Sequence, residues 1–186
     1  MAWGRRASGF SMALSLVEYA EELHLSDEVL GRLTKLRETT LDLLIWMHVR
    51  IISASRWGRL TNRYIQDIAS YNIQQAREHN HNAVAVLMAS QGISLQAAMN
   101  RAGQRLKTLV ADFLAEEAAL VQCSWGPYVD RDVRVLIVGL RDCAVGTAHW
   151  IYKCDRYFLG KGEDVRAFGW VFLLPKVVVE EEEEGD

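Results

Sequence analysis

Proline is the residue this sequence most conspicuously lacks. Only Pro127 and Pro175 occur in 186 residues. A proline in a helix interior costs about 3 kcal/mol relative to alanine, so a chain this free of it can build long helices. The apolar pattern uses that freedom. Leu14, Val17 and Leu23 recur at helical spacing along residues 12–25. Ser26-Asp27-Glu28 reads as the cap and first turn of a helix over residues 27–47, with room for a break near Arg37. Residues 67–78 and 83–90 read as shorter helices, the second stopped by Gly92. Ser94 caps a long helix to Gln122, with Leu95, Met99, Leu106, Leu109, Val110, Phe113 and Leu114 predicted inward. A turn at Ser124-Trp125-Gly126-Pro127 precedes the last long helix, predicted over residues 130–158. From Gly160 onward a loop, a short apolar stretch and an acidic tail are expected. The fold class is all-α, antiparallel helices joined by short connections.

Composition narrows the function classes. Half of the residues are apolar and 24% are charged, which is ordinary for a globular chain. The net charge of −3 argues against a nucleic-acid partner. Five glutamates at residues 180–184 carry much of that charge; without them the body is slightly basic, which suits an anionic small ligand. Cys123, Cys143 and Cys154 are odd in number and form no CxxC pair, so plain thiols are expected rather than disulfides or zinc ligands. Arg5 and Arg6 precede a short apolar run, but Glu18, Glu21 and Glu22 follow it, which favours an amphipathic helix over a signal peptide. No stretch is apolar enough to span a membrane, and a cytoplasmic location is the expectation. His79 and His81 lie in a polar turn and read as solvated.

Residues 49–66 differ from their surroundings. They hold Arg50, Arg56, Arg59 and Arg63, no acid, and the helix-interrupting pair Trp57-Gly58.

Four ordered patterns carry a resemblance. Ser70-Tyr71-Asn72-Ile73-Gln74-Gln75, with His81-Asn82-Ala83-Val84 beyond it, resembles the second metal motif of fungal terpene synthases. Ser124-Trp125-Gly126-Pro127 with Val129-Asp130-Arg131-Asp132-Val133 resembles the turn before their last helix. His149-Trp150 and Asp155-Arg156-Tyr157-Phe158 resemble the end of that helix, where the family carries an Arg-Tyr pair. Arg5-Arg6-Ala7-Ser8-Gly9 resembles its Arg-Arg-x-Thr-x-Gly region. The set is similar to the mushroom-type class I sesquiterpene synthases over residues 1–175, with 49–66 as an atypical insertion and 176–186 as an acidic, disordered tail.

The resemblance implies part of a class I terpene synthase helical bundle, its C-terminal half. It implies Mg2+ as cofactor and a prenyl diphosphate, farnesyl diphosphate, as substrate. It assigns diphosphate binding to Arg156, Tyr157 and Arg5, and places Tyr71 and Trp150 on the aromatic wall that faces a carbocation. It assigns the second metal motif, Asn-Asp-x-x-Ser-x-x-x-Glu, to Ser70, Gln74 and either Gln66 or His48. Ligands at i, i+4 and i+8 share one helix face. Magnesium is held by hard oxygen donors, chiefly carboxylates, and Gln74 replaces the family's glutamate with a neutral amide. The acids before Asp67 are scattered (Glu18, Glu21, Glu22, Asp27, Glu28, Glu38, Asp42) and form no Asp-rich cluster. The expectation is therefore a sesquiterpene-synthase-like chain that does not turn over by itself. The alternatives are a noncatalytic helical protein that associates with an intact synthase, and a mis-assembled gene product.

Joining Met47-His48 directly to Asp67-Ile68-Ala69-Ser70 restores an unbroken motif, with His48 at the asparagine position. Valine codons begin with GT and glutamine can be CAG, the ends of an intron. Residues 49–66 are thus expected to be either a translated intron or a genuine surface insertion.

Overall fold

The computed structural model describes residues 9–48, 67–78 and 82–176, with the side chains of Ile45, Trp46, His48, Asp67 and Ile68 excepted. Every long element among the described residues is helical: α1 (Phe10–Ala20), α2 (Asp27–His48), α3 (Asp67–Ala76), α4 (Ala83–Gln91), α5 (Leu95–Val121), α6 (Pro127–Lys153), α7 (Asp155–Phe158) and α8 (Gly162–Phe168). None is long and apolar enough to cross a membrane.

α2 is the central element, packed against α1, α3, α5 and α6. Its first half is amphipathic, burying Val29, Leu33 and Leu36 at spacings of three and four. From Thr39 to Leu44 every residue is buried, Asp42 included, so the helix runs there into the middle of the bundle. It is continuous through Arg37. Arg37 pairs with Glu18 of α1, and its partial burial lowers the guanidinium pKa. Leu14, Leu109, Phe113, Leu136 and Leu140 complete the main core around α2. Each such side chain contributes roughly 2 kcal/mol on removal from water. α1 lies on α6 so closely that a Cβ at Gly139 would strike Val17 Cγ1.

Local chemistry sets the helix ends. Ser94 accepts from the Ala97 amide at the start of α5. Gly92 closes α4 with a φ of 62°. Three boundaries correct the sequence reading. α6 starts at Pro127, not at residue 130, because Pro127 occupies the first helical turn, where its missing N–H is no loss. Asp130 folds back to accept from the Trp125 amide (2.6 Å) and the Ser124 hydroxyl (3.0 Å). α6 ends at Lys153: Cys154 is extended (ψ 144°), and the short α7 follows. A further helix, α8, occupies what was expected to be loop after Gly160. On α5 the buried stripe is Ala98, Ala102, Leu109, Phe113 and Leu120, while Val110 and Leu114 face outward, 45% and 53% exposed.

Candidate functional site

α3 meets α2, α4 and α7, and this junction gathers most of the residues singled out in the sequence. Ser70 and Gln74, one turn apart on α3, are both buried. The Gln74 amide donates to Ser70 Oγ at 2.9 Å. Its carbonyl accepts from Asn82 Nδ2 at 3.0 Å. Asn82, fully buried, uses its own oxygen to cap α4 through the Val84 amide at 2.8 Å. Ser70, Gln74, Asn82 and Val84 thus form one closed relay that ties α3 to the start of α4. Asn82 has a role the sequence reading did not give it; an asparagine directly before an apolar run is a helix-start signal.

The relay bears on a metal. A hard dication is held by charged or strongly polar oxygens in near-octahedral geometry. Here both ends of the Gln74 amide are already engaged, and Ser70 and Gln74 bring no formal charge. These residues do not fit a magnesium ion. Gln66 and Arg5 lie outside the described residues, as do His79 and His81; for His48 only its place at the end of α2 is described.

A second cluster forms where α3 meets α6 and α7. Ala69, Ile151 and Tyr157 are buried together, with Met47, Cys154 and Phe158 packed against them. The Cys154 break turns Tyr157 inward, to 2% exposure. Trp150 meets the Tyr157 ring edge-on at 5.8 Å, and the exposed Arg156 guanidinium lies 5.9 Å from the ring centre. Tyr157 Oη is buried without a hydrogen-bond partner among the described residues. Burial pushes its phenol up to about 12, against the opposing pull of Arg156. Native chains rarely leave a buried hydroxyl unpaired. Tyr71 points elsewhere: it packs with Val84 and Ala98, its hydroxyl 3.7 Å from Met88 Sδ. Trp150, Arg156 and Tyr157 are thus brought together, and Tyr71 is held apart from them.

Asn72, between Ser70 and Gln74 on α3, faces the C-terminal segment. Its amide donates to the Phe172 carbonyl at 2.9 Å, and its oxygen accepts from the Leu174 amide at 2.7 Å. Gln75 Nε2 donates to the Leu174 carbonyl at 2.8 Å, and Lys176 pairs with Glu78 at 3.0 Å. No sequence signal announces these contacts, which join residues about a hundred positions apart.

Comparison with known proteins gives the context. Residues 1–112 match the family described as "Terpene synthase family 2, C-terminal metal binding". Sesquiterpene synthase Agr1 of Cyclocybe aegerita is 34% identical over 174 residues, 92% of this chain and 44% of that protein. Sesquiterpene synthase 3 of Postia placenta is 35% identical over 175 residues, 93% of this chain and 42% of the relative. Alpha-muurolene synthase of Coprinopsis cinerea is 30% identical over 172 residues, 91% of this chain and 36% of the relative. The chain therefore spans less than half the length of these curated relatives. With an all-helical fold and a match over more than half of its residues, the chain belongs to the terpene synthase family, in its C-terminal metal-binding region.

Proposed function

We propose that this chain is a sesquiterpene-synthase-like polypeptide that keeps elements of a diphosphate-facing surface but does not hold magnesium through α3, and so does not cyclise farnesyl diphosphate by itself. The observation that carries this reading is the relay from Ser70 through Gln74 to Asn82. It spends on internal hydrogen bonds the groups that the family directs to a cation. Arg156 offers a forked donor suited to phosphate oxygens, and the unpaired Tyr157 hydroxyl supports a ligand role beside it. Arg5 is a further candidate for the same anion. The test is incubation of the purified chain with farnesyl diphosphate and magnesium. No hydrocarbon is expected by gas chromatography, and no saturable magnesium binding by calorimetry. Either signal would overturn the proposal. Inorganic pyrophosphate is expected to bind weakly and to lose that binding in Arg156→Ala.

Residues 49–66 fit an insertion into one helix. Without them, Met47 and Ala69 would stand four positions apart, and Met47 packs against the cluster that contains Ala69. A translated intron accounts for this segment. Sequencing cDNA across the junction tests it, and a sole transcript that retains the segment would rule it out.

A second reading is association with an intact synthase. Met12, Leu16 and Tyr19 form an outward stripe on α1, 71%, 57% and 82% exposed. They stand beside a groove between α1 and α6 lined by Ala13, Leu16, Val135 and Val138. Co-purification with a full-length relative, lost in Leu16→Glu, supports this reading.

A further inference from the structure

The C-terminal segment does more than trail from α8. Residues 170–174, together with Tyr157, Phe158, Leu159 and Val165, border a partly open cavity of about 240 Å³, with Trp170 and Phe172 still 57% and 74% exposed. Trp170, Phe172 and Leu174 supply its strap side. The strap is stiffened by an edge-on Trp170–Phe172 contact at 4.7 Å. Among the described residues it has no strand partner. Two side-chain amides, Asn72 and Gln75, grip its backbone, and the Lys176–Glu78 pair fastens its end. Gly169, with a φ of 72° and open space around it, stands where the strap leaves α8 and can act as its hinge. Leu159, on the opposite wall, is held at a φ of 49°, a costly conformation for a side chain of that size.

We propose that this cavity is a binding site for a compact, neutral, apolar molecule, with the strap as its movable roof and Asn72 as the latch. Three observations set the ligand class. The wall is mainly aliphatic and aromatic. Its charged members, Lys161 and Asp164, are of opposite sign, so no net charge favours an ion. The Asn72 amide is already engaged by the strap. At an interior packing density of about 0.74, the space admits a molecule of roughly ten heavy atoms. The strap can open locally because a few side-chain contacts hold it rather than a ladder or a core. The cavity shares Tyr157 with the proposed diphosphate surface but not Arg156 or Arg5, and its test contains neither metal nor diphosphate, so a failure of one reading is told apart from a failure of the other.

The full chain, labelled with 5-fluorotryptophan, is titrated with p-cymene and followed by fluorine NMR, the Trp170 signal being assigned with Trp170→Phe. A saturable movement of the Trp170 signal is expected. Val165→Phe, which fills the chamber, is expected to weaken binding about fivefold or more. Asn72→Ala removes two hydrogen bonds and is expected to speed hydrogen exchange of the Leu174 amide by about tenfold or more. No saturable response in the unaltered chain up to the solubility limit of p-cymene overturns the proposal. So does an undiminished response in Val165→Phe, or an unchanged Leu174 exchange rate in Asn72→Ala.

Discussion

Replacing Gln74 with leucine removes the middle of the relay while keeping side-chain bulk. In the parent chain the Gln74 amide serves Ser70 at 2.9 Å and Asn82 at 3.0 Å. In Gln74→Leu, Asn82 Nδ2 loses its Gln74 partner inside a fully buried residue. The loss of one such hydrogen bond costs about 1–1.5 kcal/mol. Ser70 loses less, since its hydroxyl can rotate toward a backbone carbonyl one turn back. The expected loss for the two bonds is about 2 kcal/mol, or roughly 4–8 °C in Tm for a chain of this size. Urea unfolding followed by circular dichroism measures it. Gln74→Glu gives the contrast: the carboxylate keeps the Asn82 bond and can accept from Ser70. At a site only 6% exposed, burial raises a carboxyl pKa. A raised folded-state value means that stability is fully present below the unfolded value of about 4.3 and falls as pH climbs through the folded one. The glutamate variant should therefore weaken from pH 4 to pH 8, and the leucine variant should show no such slope relative to the parent. A leucine variant within 0.5 kcal/mol of the parent, roughly the scatter of inert surface changes, would refute the idea that the relay pins α3 to α4.

Tyr157→Phe removes a phenol that burial pushes up to about 12. The parent should lose about 1 kcal/mol between pH 9 and pH 11, as the unfolded phenol ionises first, and urea titrations at both pH values should show this slope missing in the variant. Gly162→Ala drives a Cβ onto the Tyr152 carbonyl and is expected to cost about 1–3 kcal/mol by chemical denaturation. Deleting residues 49–66 should fuse α2 and α3 into one helix, raising ellipticity at 222 nm and the urea midpoint; a lower midpoint would speak against an insertion.

What was legible in the sequence followed from short-range chemistry. The periodicity of α2 and the Ser94 and Gly92 caps act within one or two turns and were read correctly. The end of α6 is not legible, because Cys154 carries no breaker signature; its extended backbone coincides with the burial of Tyr157 three residues later. α8 is not legible because Gly160 reads as the start of a loop, although a glycine at 162 is what lets that helix approach the Tyr152 backbone. Apolar character alone predicts Val110 and Leu114 inside, yet the packing of α5 against α2 selects the neighbouring stripe. At the candidate site, the resemblance named Ser70 and Gln74 but could not say that their polar atoms are spent on each other and on Asn82. The grip of Asn72 on the strap depends on the folded path of residues 169–174, which no local pattern encodes.

The near-touching of Val17 and Gly139 bears on how this lineage can drift. Two helices that meet across a bare backbone leave no spare volume for either residue to grow. Among descendants of the same gene, bulk gained at position 139 should appear only with a smaller side chain at position 17, making the two sites a co-varying pair.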